Sequence, residues 1–372
     1  MTTIAHSGAK NLAASVSILG SIILVPPVLV SLFLSRLTTR RGSPGQSDDE
    51  EDAAAALELE IQAQQQLWWF QFQEFAMEDV AVNLLELQEP GRVSFHGCLR
   101  LGPDSMQEVS IRKLELTKAV DLLTHLESAE IRQETVNLGS LRRCNVLPLL
   151  GFSLTHSYLL LFMPKLRSLT DVLRNSSLSW SCRCRVAALV ARGLSRLHYS
   201  REAAATSNGP ASSVVTAVLH GNIRSENVHL LLEEATDDSP PTCTPYIADT
   251  GFVKLTSMPI FRPDEMITNT RGYAAPEVSS GGALTTKSEV YSFGVVLCVL
   301  LSGQTDVAAL NPVALLKQKL KRFMDPKLEK SYNGSQARTI QQTALKCIQR
   351  DPMQRPDMIR VEAWLRPLLL HT

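Results

Sequence analysis

The sequence predicts an α+β chain, with strand candidates ahead of helical ones and a length that suits a two-lobed domain, preceded by one transmembrane helix. Three observations carry this reading. The chain's 372 residues exceed the ~250–300 at which a single core stops growing, which suits one two-lobed domain with extra segments. Short strand candidates follow Phe75 and end in the apolar run Leu159-Leu-Leu-Phe-Met-Pro164, whereas Trp180 to Tyr199 places Val186, Leu189, Val190, Leu194 and Leu197 at helical spacing. No charged residue stands between Lys10 and Arg36.

That uncharged stretch is long enough to cross a hydrocarbon layer, which takes about 20 residues. Pro26 and Pro27 should kink a helix here, as membrane helices tolerate. Arg36, Arg40 and Arg41 follow it, against Lys10 before it, so the C-terminal side is expected in the cytoplasm. The expected layout is a short extracellular N-terminus at 1–11, the transmembrane helix at 12–35 and a juxtamembrane linker and helix at 36–74. A plasma-membrane, single-pass protein follows, touching lipid through that helix. A cleaved signal peptide and an organelle transit peptide are the two alternatives. Residues 42–52 read as a flexible acidic linker, and 53–75 are helix-forming.

Formal net charge is zero, so no basic field recommends nucleic acid as a partner. Seven cysteines are scattered, with Cys182 and Cys184 adjacent on one stretch. A Cys-x-Cys is a weak metal or redox signal, and buried reduced thiols are the plainer reading.

The stretch that bears on chemistry is His220-Gly-Asn-Ile-Arg-Ser-Glu-Asn227. It resembles the catalytic loop of the eukaryotic protein kinases, His-Arg-Asp followed by an Asn five positions after the Asp. Further words stand in the family's order. Phe75-Ala-Met-Glu-Asp79 opens the domain. Glu89-Pro-Gly91-Arg-Val-Ser-Phe-His-Gly97 stands at the Gly-rich loop. Val109-Ser-Ile-Arg112-Lys113 resembles the Val-Ala-Ile-Lys strand. Asp249-Thr250-Gly251 stands at Asp-Phe-Gly, and Gly272-Tyr-Ala-Ala-Pro-Glu277 at the end of the activation segment. Leu141-Arg-Arg-Cys-Asn-Val-Leu-Pro-Leu-Leu-Gly151 is similar to the plant receptor-like kinases of the leucine-rich-repeat class. The resemblance implies a two-lobed protein-kinase-like fold over 75–368, with the small lobe at about 75–164 and the large lobe at about 165–368.

The departures fall on phosphate handling and proton transfer. Asn222 stands where the family's Asp takes the substrate hydroxyl's proton, help worth about 10²–10⁴ in rate. Only Gly91 and Gly97 remain of the glycine pattern. The resemblance places Arg112 at the phosphate-binding Lys and Glu134 as its ion-pair partner; strand alternation turns Lys113 to the other face. Met163 would flank the adenine. Asn227 and Asp249 would hold a magnesium ion, since Mg²⁺ takes hard oxygens. Gly221 replaces the Arg that would meet an activation-loop phosphate. As in the family, Glu277 is expected to pair with Arg355, and Glu289 stands where an Asp caps the central helix and steadies the catalytic loop. Residues 200–216 read as a flexible insertion.

The expectation is a pseudokinase acting as a signalling scaffold, with ATP and magnesium held weakly or not at all and no other cofactor. Its expected partner is another membrane receptor-like kinase or receptor. An ATP-binding switch without transfer and a slow Ser/Thr kinase are the alternatives.

Overall fold

The structure, a computed structural model, describes residues 72–81, 94–102, 105–141, 145–203, 213–233, 242–261 and 272–371. The expected N-terminus, transmembrane segment and most of the juxtamembrane segment lie outside the described residues, as does Gly91. Among the described residues no helix is long and apolar enough to cross a membrane.

In chain order the small lobe contains β1 (Gln73–Glu74), β2 (Val80–Ala81), β3 (Ser94–Gly102), β4 (Ser105–Glu115), α1 (His125–Gly139), β5 (Gly151–Leu154) and β6 (Tyr158–Pro164). The strands form one sheet in the order β1-β5-β6-β4-β3-β2. β1 runs parallel to β5 and sets Gln73 against Gly151, so the last residues assigned to the juxtamembrane segment are already part of the sheet. β6 is apolar at nearly every position because both of its neighbours are strands and both of its faces are covered. α1 starts at a capping box, with Thr124 and Glu127 each accepting from the other's backbone N–H. It presses Ile131 and Leu138 into the core shared with Leu114, Phe152 and Leu161.

The large lobe continues with β7 (Arg167–Ser168), α2 (Leu169–Asn175), α3 (Trp180–His198), β8 (Ser200–Ala203), β9 (Ser213–Thr216), β10 (Val228–Glu233), β11 (Thr242–Ile247), α4 (Phe252–Thr256), α5 (Pro276–Ser279), α6 (Thr286–Ser302), α7 (Pro312–Leu316), α8 (Gly334–Cys347) and α9 (Met358–Leu365). α3 is the spine of this lobe. Val186, Val190, Leu194 and Leu197 are buried on it, each contributing roughly 1.5–3 kcal/mol relative to exposure. α6, with Phe293, Val296 and Leu300, lies in the same core.

Two expectations are corrected here. Residues 200–216 are not a loop throughout, since β8 and β9 pair antiparallel from Ser200↔Thr216 to Ala203↔Ser213. Glu289 does not cap α6. The cap is Thr285, which forms a capping box with Ser288, and Glu289 lies inside the first turn. A helix is capped by the side chain that precedes it, and Thr285 holds that place.

Candidate functional site

β10 and β11 form a hairpin that holds the two halves of the candidate site side by side. Val228 pairs with Ile247, so Asn227 and Ala248 flank the same end of the ladder. The Ala248 N–H donates to the Asn227 carbonyl at 2.8 Å, fixing the catalytic-loop word against the Asp249 word.

The loop from His220 to Asn227 is held from below. Glu289 is fully buried on α6 and accepts from the Gly221 N–H and from His198 Nε2, the latter at 2.7 Å. The carboxylate that the family uses to steady this loop therefore does so here with an extra methylene, which lets it reach α3 as well. Gly221 has a positive φ of 87°, and a Cβ there would meet Val253 Cγ2 at 2.0 Å. The residue that replaces the family's Arg is thus fixed by backbone conformation and by the α4 side chain above it. His220 is fully buried, and burial pulls its pKa below the ordinary value despite the nearby Glu289 and Asp249 carboxylates. Its Nδ1 accepts from the Asn222 N–H at 3.1 Å, which suits a neutral ring. Asn227 Nδ2 donates to the Asn222 carbonyl at 2.8 Å. The Asn222 side chain is itself buried, and its Oδ1 has no hydrogen-bond partner among the described residues.

β4 carries Arg112 into the site, as strand alternation requires, and sends Lys113 to the other face beside Glu115, Phe95 and Tyr158. Arg112 Nη1 donates to Ser94 Oγ at 2.6 Å. Its Nη2 donates to Asp249 Oδ2 at 2.7 Å, an ion pair with both side chains almost wholly buried. The expected partner, Glu134, is elsewhere. It accepts from Lys254 Nζ at 2.7 Å. The cause lies in the turn after Asp249. Asp249 and Gly251 both have positive φ, at 60° and 75°, and the chain then coils into α4. α4 packs against α1 and offers Lys254 to Glu134, which leaves Arg112 to Asp249.

Gly97 also falls differently from expectation. It lies within β3, paired with Val109, while Ser94 sits opposite Arg112. Met163 is the penultimate residue of β6, opposite Ser110, and is buried where this inner strand leads towards the large lobe. Thr250 is buried, and its hydroxyl has no partner among the described residues.

This arrangement fits a magnesium ion poorly. Asp249 already accepts a guanidinium, whose charge repels a divalent cation at the same oxygens. Asn227 spends its Nδ2 on the loop backbone, a bond that leaves its Oδ1 untouched, so the misfit lies at Asp249. No group of three His, Cys, Asp or Glu side chains able to hold a metal occurs among the described residues. Proton transfer is equally hindered, because an amide at position 222 accepts a hydrogen bond but takes no proton near neutral pH.

The large lobe, by contrast, is locked. Arg355 forks onto Glu277 at 2.6 and 2.8 Å, and donates to the carbonyls of Gln349, Lys287 and Arg350. Arg355 holds the Glu277 carboxyl below the usual carboxylate range. Sequence reading missed a second lock. Arg183, fully buried on α3, donates to Asp325, to the Leu300 carbonyl at 2.7 Å and to the Leu178 carbonyl at 3.0 Å. An Arg in an apolar helix was its signal. A chain of hydroxyls, Thr170 to Ser225 at 2.6 Å and Ser225 to Tyr273 at 2.7 Å, ties α2, the catalytic loop and the segment before α5 together.

Comparison with known proteins agrees with this geometry. The protein kinase domain model matches residues 74–364. Serine/threonine-protein kinase PBL34 of Arabidopsis thaliana is 31% identical over 254 residues, covering 62% of this chain and 46% of that protein. The G-type lectin S-receptor-like serine/threonine-protein kinase SD2-2, also of Arabidopsis thaliana, is 26% identical over 94% of this chain and 41% of its own length. The chain thus spans less than half the length of either relative. Among solved structures, the pseudokinase domain of BIR2, described as an immune regulator of the RLK/Pelle family, superposes with a TM-score of 0.56. It is 24% identical, over 79% of this chain and 82% of that one, a likeness of fold.

Proposed function

Because the chain belongs to the protein kinase domain family, we propose that it is a degenerate, membrane-anchored member of the receptor-like class that regulates a partner receptor kinase and transfers little or no phosphate. The observation that carries this reading is the buried Arg112–Asp249 ion pair beside Asn222. One change removes the proton acceptor and the other ties up the carboxylate a metal would need. Family members typically bind ATP with magnesium, and here those ligands must first displace Arg112.

The receptor-like assignment draws support from the similarity to SD2-2, and the leucine-rich-repeat subclass from the Leu141 to Gly151 stretch. The uncharged stretch from Asn11 to Ser35 supports the anchor. A regulatory role beside a receptor kinase is in keeping with the fold shared with BIR2.

Thermal melting of the full chain with and without ATP and Mg²⁺ tests the reading, beside Asp249→Ala. A ligand that binds only the folded state stabilises it by about 2.7 kcal/mol at a hundredfold excess over Kd. No shift at millimolar nucleotide is the expected result. A shift that disappears in Asp249→Ala would point to an ATP-binding switch, and phosphotransfer on top of it to a slow Ser/Thr kinase.

A further inference from the structure

The chain between α7 and α8 gathers positive charge on a fixed surface. From Lys317 to Lys330 it carries six cations, Lys317, Lys319, Lys321, Arg322, Lys327 and Lys330, against Asp325 and Glu329. All six cations are exposed. Asp325 does not offset them, because it is buried as the partner of Arg183. Leu316, Phe323 and Leu328 are buried on the same stretch, and Leu320 and Met324 pack partly against the core. Gln341 on α8 donates to the carbonyls of Leu316 at 2.7 Å and Gln318 at 3.0 Å. Lys327 Nζ donates to the Leu173 and Arg174 carbonyls at the end of α2. The backbone is thus held to the lobe at both ends of the stretch, and the charges are left outside.

Lys327 is occupied by those carbonyls, but Lys317, Lys319, Lys321 and Arg322 make no side-chain hydrogen bond or ion pair among the described residues. Glu329 is the exposed acid of the stretch, and Asp306 follows Thr305, which accepts from Arg174 Nε at 2.9 Å. In a chain of zero net charge, four unpaired cations between positions 317 and 322 are a local segregation of charge, and each repels the others. A partner of opposite sign relieves that repulsion. Two features select its kind. Three of the four cations are lysines, compact charges on flexible stems without a planar fork, which suit a diffuse anionic surface better than one carboxylate or phosphate. The neighbouring surface at α7 is apolar, with Val313 38% exposed and Ala308, Ala309 and Ala314 exposed as well. Cations beside small apolar side chains match the headgroup layer of an anionic bilayer, where the charges meet phosphates and the apolar groups reach the acyl boundary.

We propose that the stretch from Val313 to Arg322 docks the large lobe on an anionic lipid surface. The proposal rests on the membrane-anchored reading above, which supplies proximity: a tethered patch needs only modest affinity of its own. Each Lys or Arg close to such a surface strengthens binding about fivefold. Docking gives the tethered lobe a fixed orientation on the membrane, and with it a defined set of faces for a neighbouring receptor kinase.

The test is acylation of lysines by a membrane-impermeant reagent, read by peptide mapping, on the full chain mixed with vesicles of phosphatidylcholine alone or with added phosphatidylserine. Lys317, Lys319 and Lys321 should react about fivefold or more slowly on the phosphatidylserine vesicles. The exposed Lys165 of the small lobe should react equally on both. High salt should remove the difference by screening. In Lys319→Gln with Lys321→Gln, two exposed positions, Lys317 should lose its protection. Equal acylation of the patch on the two kinds of vesicle would overturn the proposal. So would protection by polyglutamate without protection by phosphatidylserine, which would assign the patch to an acidic protein. Sedimentation separates the patch from the anchor. A chain left in solution by phosphatidylcholine vesicles refutes the anchor; phosphatidylserine then either sediments it, as the patch requires, or overturns the patch too.

Discussion

The underside of the large lobe and the cleft above it treat buried charge in opposite ways. Below, Arg355 and Arg183 each meet a carboxylate and two or three carbonyls. Above, Arg112 Nε, Asn222 Oδ1 and Thr250 Oγ1 are buried with no partner among the described residues. Unmade hydrogen bonds in low dielectric cost about 1–3 kcal/mol each, so the two regions answer to different demands. The underside is arranged for stability. The candidate site leaves these three groups unpaired.

Breaking the underside should have the largest effect. Asp325→Ala leaves Arg183 charged and buried among apolar side chains, where burial already pulls its pKa down and Asp325 opposes that pull. A loss of about 3–5 kcal/mol is expected in urea unfolding. A loss below about 1 kcal/mol would show that the lock is dispensable.

Restoring the family's Arg at position 221 should come next, and should harm. Gly221→Arg forces a side chain into a left-handed backbone at about 1–2 kcal/mol and onto Val253, with overpacking of about 1–3 kcal/mol. A lower Tm is expected, and Val253→Ala beside it should recover part of the loss. An unchanged Tm would mean that the loop yields easily.

Asn222→Asp sharpens the comparison from the other side. If the lone missing proton acceptor disabled the cleft, this change would raise phosphotransfer by about 10²–10⁴. With Asp249 still held by Arg112, no phosphotransfer is expected from a radiolabelled ATP assay. A strong gain would place the defect in residue 222 alone.

The smallest effect concerns α1. Glu127 has its pKa lowered from 4.5 to about 2, chiefly by Lys118 and then by the Thr124 cap. A depressed carboxylate stabilises above its unfolded value and loses that contribution as pH falls from 4.5 through 2. Amide exchange at the start of α1 should therefore quicken across that window, and Glu127→Gln should flatten the dependence.

Much of the fold was legible because each element carries a local signal. The helical spacing of Val186, Val190, Leu194 and Leu197 belongs to α3. The alternation of Val109, Ile111 and Lys113 against Ser110, Arg112 and Leu114 placed Arg112 in the cleft. The cap of α6 was legible too, since Thr285 and Ser288 are three residues apart, although the family pattern drew attention to Glu289. Arg355 with Glu277 and the loop-steadying Glu289 stand where the kinase resemblance set them.

By itself the sequence determined that Arg112 and Lys113 turn to opposite faces of β4 and that the amide at 222 takes no proton, because residue type and strand period are local properties. Tertiary structure alone decided their partners. Arg112 chose Asp249 over Glu134 because the turn at Asp249 and Gly251 swings α4 onto α1 and delivers Lys254 to Glu134. Arg185 reached the Cys243 carbonyl on a strand far along the chain. Ion pairs and hydrogen bonds fall off within a few ångströms, and distances of that size between remote segments are set by the packing of whole elements.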